Sequence, residues 1–126
     1  MPRALIVDDE AGIRFALKRW FERQQWTVDE AEDGNAALAL LRSSTDGATP
    51  YDVVVCDLHL PYLSGEAIVG LMRNENPELA RRIILTTGDA VTDAEPGSIL
   101  AEHAFVLQKP FDLATLKETV AKVTAG

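Results

Sequence analysis

Short apolar runs and helical stripes alternate along the chain. Residues 4–7, ALIV, form an unbroken apolar run of strand length. Ile13, Ala16, Leu17, Trp20 and Phe21 then recur at i, i+3, i+4, i+7 and i+8, which predicts one buried face of a first helix. TVDEA (27–31) is a weaker strand with a polar face, and NAALALLRS (35–43) after Gly34 is helix-forming. YDVVVCD (51–57) is expected to be the central buried strand, and GEAIVGLMRNE (65–75) predicts a helix with Ser64 as its N-cap. RRIILTT (81–87) and HAFVLQ (103–108) are the fourth and fifth strands. Leu113, Leu116, Val120 and Val123 stripe a last helix that Asp112 can cap.

Five strand–helix units follow. Continuous apolar strands separated by helices predict a parallel sheet covered on both faces, and right-handed crossovers make it doubly wound, a three-layer α/β sandwich. Residues 44–52 predict a surface loop. In GDAVTDAEPGS (88–98) the Pro96–Gly97 pair breaks helical continuity, so the fourth helix is expected to be short. No repeat, linker or low-complexity tract interrupts the pattern, and residues 1–126 are expected to form a single domain.

Composition narrows the function classes. The net charge of −8 disfavours direct contact with nucleic acid or anionic membranes. No apolar run is long enough to span a bilayer, and the N-terminal MPRALIVDDE lacks the long apolar region of a signal peptide, so a cytoplasmic protein is expected. The one cysteine, Cys56, lies inside an apolar run and is expected to be a buried, reduced thiol.

One stretch resists a purely structural reading. In VVVCDLHLP (53–61) a buried strand ends on a carboxylate, which is costly unless something pairs with it. In a doubly wound sheet, ligands bind beyond the carboxyl ends of the strands. The first strand ends in Asp8, Asp9 and Glu10, the third in Asp57, the fourth in Thr86 and Thr87, and the fifth in Lys109–Pro110. Each group alone reads as a cap, a turn or a surface residue; together they converge on one crevice if the first, third and fourth strands are neighbours. Two carboxylates about 4 Å apart repel by roughly 4 kcal/mol at an effective dielectric of 20, so Asp8, Asp9 and Asp57 need a cation. An all-oxygen donor set with few carboxylates suits Mg²⁺, commonly bound with a phosphate. Thr87 and Lys109 offer a hydroxyl and a positive charge to phosphoryl oxygens, and an aspartate can itself be the nucleophile, Asp57 being the best placed.

LIVDDE, VVVCDLHLPYLSG, IILTTGD and FVLQKPFDLATL resemble, in order and spacing, the receiver domain of two-component response regulators, from about residue 3 to residue 124. The resemblance implies the flavodoxin-like (βα)₅ fold with strand order 2-1-3-4-5. It implies Asp57 as phosphoacceptor, and Asp9, Asp57 and the backbone carbonyl of His59 as Mg²⁺ ligands, with Asp8 reaching the metal through water. Thr87 matches the switch hydroxyl and Lys109 the lysine that pairs with the phosphoryl group. The implied protein is a signalling phosphoacceptor rather than an enzyme. It is served by a histidine kinase or histidine phosphotransfer protein and acts on a downstream effector domain or protein, as a stand-alone regulator or as part of a hybrid histidine kinase or larger regulator.

The sequence departs from the family at several points. Val106 occupies the place of the usual aromatic three residues before the lysine, with Phe105 expected on the other face by strand alternation. Gly88 stands where many members have Ala, and Leu60 where Met is common. The broken fourth helix weakens the usual signalling face. Two rival classes fit less well. A haloacid-dehalogenase-like phosphatase wants a second acid at position 59, where this chain has His, and a flavodoxin-like nucleotide binder wants a Ser/Thr/Gly-rich loop in place of DDEAG. The His59 side chain is expected to face solvent, where it or Asp89 could modulate attacking water. His103 is expected to be an ordinary surface or strand-end residue, Glu10 either adds negative potential or favours the start of the first helix, and Trp20 and Trp26 are expected to pack against the sheet edge.

Overall fold

The computed structural model describes residues 2–45, 50–88 and 96–125. In chain order these form β1 (Arg3–Val7), α1 (Ala11–Arg23), β2 (Thr27–Ala31), α2 (Gly34–Thr45), β3 (Val53–Asp57), α3 (Gly65–Glu75), α4 (Pro77–Ala80), β4 (Ile83–Thr87), α5 (Ile99–Glu102), β5 (Val106–Gln108) and α6 (Leu113–Ala125). The strands form one parallel sheet in the order β2-β1-β3-β4-β5.

Side-chain alternation along the strands builds two cores. Leu5, Val7, Val54, Cys56, Ile83 and Leu85 face α2, α3 and α5, where Leu41, Ile68, Val69, Met72 and Leu100 cover them. Ala4, Ile6, Val53, Val55, Ile84 and Leu107 face α1 and α6, meeting Leu17, Phe21, Leu116, Val120 and Val123. Strand β3 is buried along its whole length, so it is the centre of the sandwich. Trp20 and Trp26 meet Phe21 edge-on, at centroid distances of 4.9 and 5.1 Å, and seal this second core at the β2 side.

Local signals explain the helix ends. Ser64 caps α3 by accepting from Ala67 N, and Asp112 caps α6 by accepting from Thr115 N at 2.7 Å. Asp33 does the same for α2 through Ala36 N. The short α4 was not anticipated. Asn76 caps it and Pro77 pre-sets its first turn, so that Leu79 and Ala80 become buried. α5 is a single four-residue turn capped by Ser98, consistent with the helix-breaking Pro96–Gly97 pair. Two stripe residues lie elsewhere than expected: Ala16 is exposed and Leu113 is 55% exposed, because α1 and α6 turn only Leu17, Phe21, Leu116, Val120 and Val123 fully inward. Tyr51, at the end of the expected surface loop, is buried and donates its hydroxyl to Asp29, which also pairs with the Arg3 guanidinium stacked over the Tyr51 ring. Residues 46–49 of that loop and residues 89–95 of the segment expected to break the fourth helix, Asp89 among them, lie outside the described residues.

Candidate functional site

The acids and hydroxyls singled out above gather at one edge of the sheet. Neighbouring β1, β3 and β4 all run in one direction, so the ends at Asp8, Asp57 and Thr87 face the same side. Asp8 is 2% exposed, Asp57 7% and Thr87 0%, whereas Asp9 and Glu10 are exposed.

Two turns of the same kind aim the buried carboxylates. Asp8 Oδ1 accepts from the backbone N–H of Glu10 at 2.9 Å, and Asp57 Oδ1 accepts from that of His59 at 3.2 Å. In both, the side chain bonds to the backbone two residues on, which turns the chain out of the strand. Each acid thereby keeps its Oδ2 for one shared partner. The Lys109 ammonium donates to Asp8 Oδ2 at 3.0 Å and to Asp57 Oδ2 at 3.3 Å. Lys109 follows β5, beyond β4, so its side chain reaches over the ends of two strands to touch both acids. Its own backbone N–H donates to the Thr87 carbonyl at 2.6 Å, extending the β4–β5 ladder to the site, and the Lys109–Pro110 peptide is cis.

Close approach of α3 completes the arrangement. A Cβ on Gly65 would lie 2.5 Å from the Asp57 carbonyl oxygen, and one on Gly34 would lie 2.0 Å from that of Leu63. Only glycine allows the β3–α3 connection to fold this tightly over the carboxylate. Tyr62, within that connection, has φ +69° and is 84% exposed.

The electrostatics follow from burial. Desolvation pushes Asp57 above the usual carboxylate range, and the charge of Asp8 adds to this, against the His59 N–H and the Lys109 ammonium. Burial works against the charge of Lys109, but its bonds and attractions to Asp8 and Asp57 outweigh that and hold it above the usual lysine range. Burial lifts the Cys56 thiol far out of the reactive range, matching the expected inert role.

A divalent cation suits this donor set. Carboxylate oxygens of Asp8, Asp9 and Glu10 lie within 4.8 Å of one another. Such a gathering of hard oxygen donors is the kind that would hold Mg²⁺ and be relieved of its repulsion by it. The Glu10 side chain makes no capping bond to α1 and stays available. Asp57 stands outside this triple, joined to it through Lys109.

Other residues divide. The His59 side chain is exposed, as expected. Val106 packs with the α2, α3 and α5 core and Phe105 with the opposite one, as strand alternation requires. His103 is not an ordinary surface residue: it is half-buried and donates Nε2–H to the Ile83 carbonyl, tying the end of α5 to the start of β4. Sequence reasoning passed over Arg14, whose guanidinium donates to the Asp8 carbonyl at 2.6 Å. A cleft of about 690 Å³ opens between Arg73, Arg81, His103 and Lys122 at the opposite edge of the sheet, far from these acids.

Known proteins share this arrangement of strands and motifs. The sequence profile of the response regulator receiver domain matches residues 4–121. The protein PilH of Pseudomonas aeruginosa is 34% identical over 127 residues, covering all of both chains. The probable transcriptional regulatory protein TcrX of Mycobacterium tuberculosis is 33% identical over 96% of this chain but 47% of its own length. The chain thus spans about half the length of several curated relatives it matches, and all of PilH. Among solved structures, the response regulator TrrA of Thermotoga maritima in complex with Mg²⁺-BeF superposes with a TM-score of 0.81 at 32% identity, over 98% of this chain and 99% of that one. The same regulator is also known in complex with the histidine kinase ThkA. The fold, the order of the motifs and these relatives agree: the chain belongs to the response regulator receiver domain family, the phosphoacceptor modules of two-component signalling.

Proposed function

We propose that Asp57 is the phosphoacceptor of this receiver and that Asp8, Asp9, Asp57 and the His59 carbonyl hold Mg²⁺ beside it, with Glu10 adding negative potential. The observation that carries the reading is the single ammonium of Lys109 shared by the buried carboxylates of Asp8 and Asp57. When bound, Mg²⁺ supplies charge neutralisation and orientation for phosphoryl oxygens. A carboxylate oxygen of Asp57 forms the new bond to phosphorus as the phosphorus–nitrogen bond of the donor histidine breaks. Lys109 stabilises the charge that develops on the transferring group, and the turn through His59 holds the nucleophile in place. The burial that raises the affinity of Asp57 for a proton also favours its capture of another electrophile. Thr87, buried at the end of β4, then donates its hydroxyl to the phosphoryl group. Moving a two-state switch from 1:99 to 99:1 needs about 5.5 kcal/mol of differential contact, within reach of a dianion held by a cation, a lysine and a hydroxyl.

The donor is a protein carrying a phosphohistidine, a histidine kinase or a histidine phosphotransfer protein. Among the described residues, the exposed large hydrophobics are Phe15 on α1, Tyr62 after β3 and Leu113 at the start of α6, all on segments that follow strand ends at the acidic edge. This rim suits a helical donor surface. Residues 1–126 act as a single receiver domain in the cytoplasm, passing the signal to an effector domain or protein and not to nucleic acid directly. The chain promotes its own phosphorylation and dephosphorylation and is not otherwise an enzyme. Incubation with Mg²⁺ and acetyl phosphate tests the reading: intact mass gains one phosphoryl group, and Asp57→Asn gains none. No gain in the wild type, or gain in the variant, defeats it.

A further inference from the structure

We infer that Arg14 is a positioning residue for the cation site, an inference that rests on the reading of the acidic edge given above. Its side chain is mostly buried, at 15% exposure, and folds back over the start of its own helix. Nη1 donates to the Asp8 carbonyl at 2.6 Å, and Nε lies 3.5 Å from Glu30 Oε1. The other oxygen of Glu30 is 3.4 Å from Lys18 Nζ. A cation near a helix N-terminus opposes the helix dipole, which ordinarily disfavours it. What offsets this here is the anionic turn of Asp8, Asp9 and Glu10.

The bond acts on the ligands through the backbone. Holding the Asp8 carbonyl fixes the plane of the Asp8–Asp9 peptide, and with it the direction in which Asp9 leaves the turn. The Asp8 N–H is already bound to the Ala31 carbonyl at 3.2 Å. That bond holds the preceding Val7–Asp8 peptide; Arg14 supplies a second tether, through Glu30, on the Asp8–Asp9 peptide, so Asp8 is tied to β2 through both of its peptide units. Asp9 is exposed and its carboxylate gains order from this peptide rather than from packing. Glu30, shared between Arg14 and Lys18, offsets part of the positive charge of Arg14, and the proposal is that orientation of the ligands outweighs what repulsion of the cation is left.

The test is Mg²⁺ titration of the full chain by calorimetry, with thermal unfolding measured without metal. Arg14→Met is expected to raise the Mg²⁺ Kd about fivefold to tenfold, near the lower edge of what outer partners of metal ligands contribute. Arg14→Lys, which keeps one donor, is expected to recover part of the loss. Glu30→Gln is expected to weaken binding less, and to add little on top of Arg14→Met because the two act through one tether. A Kd within twofold of wild type in Arg14→Met overturns the inference, and tighter binding does so too, since it shows charge repulsion to be the governing effect. If Arg14→Met does not fold, the comparison of Arg14→Lys and Glu30→Gln with wild type decides in the same way. Phosphoryl uptake from acetyl phosphate by the wild type, read by mass, separately reports on the phosphoacceptor reading.

Discussion

Replacing Lys109 by methionine keeps the bulk of the side chain and removes the ammonium shared by two buried acids. The side chains of Asp8 and Asp57 are 3% and 8% exposed, and both lie within 3.3 Å of the lysine nitrogen. Their facing oxygens are therefore about 6 Å apart at most, where two like charges at an effective dielectric of 20 repel by roughly 3 kcal/mol. Removing one partner from a buried ion pair typically costs 3–5 kcal/mol, and the partial exposure of Lys109 places this case at about 2–4 kcal/mol. The penalty depends on pH in a defined direction. Asp57 already titrates above its ordinary 3.8, chiefly through burial, and without Lys109 it rises further. The folded variant then holds a proton that the unfolded chain has released, so its stability increases as pH falls from neutrality towards 3.8 and is lost as pH rises through the folded value. Urea denaturation at pH 7.5 and pH 5.0 measures this, with and without Mg²⁺. Expected are a large loss at pH 7.5, a smaller one at pH 5.0, and more stabilisation by Mg²⁺ in the variant than in the wild type. A loss below about 0.5 kcal/mol at pH 7.5, or equal losses at both pH values, refutes the reasoning.

Other perturbations follow from the same structure. Gly65→Ala is expected to cost roughly 2 kcal/mol, because its Cβ would lie 2.5 Å from the Asp57 carbonyl and the backbone must move. Slower phosphoryl uptake from acetyl phosphate should accompany the lower melting temperature. Tyr62→Gly is expected to be neutral or stabilising by up to about 1 kcal/mol, since glycine relieves the left-handed backbone at φ +69°; a clear loss in a urea titration would contradict this. His103 is held below its ordinary 6.5 by burial and by the charge of Arg73, against the pull of the Ile83 carbonyl. Its contribution is therefore complete above pH 6.5 and is lost as pH falls below it. Wild type should lose more stability between pH 7.5 and pH 5.5 than His103→Gln, and parallel pH profiles would remove that assignment.

Much of this was legible in the chain because the relevant signals are local and strong. The apolar run 53–56 demanded a central strand, and its terminal Asp57 demanded a partner. That the partner is Lys109, contacting Asp8 as well, depends on strand order, which pattern alone leaves open. Helical periodicity identified the inward faces of α1 and α6 but not the limits of burial, so Ala16 and Leu113 fell at the exposed margin. The single turn of α4 is too short for periodicity, although Asn76–Pro77 carries its cap. Arg14 was passed over and His103 read as an ordinary surface or strand-end residue because a lone polar residue in a helix or beside a strand reads as solvated, and only long-range packing turns it onto a backbone carbonyl.

The two ends of Lys109 have a mechanical consequence. Its side chain senses the charge state of the β1 and β3 termini, while its amide is bound to the last residue of β4. Any event that satisfies the two carboxylates by other means weakens the hold on the ammonium of the same residue whose amide is bound to Thr87. One amino acid thus joins the two buried carboxylates to the end of β4.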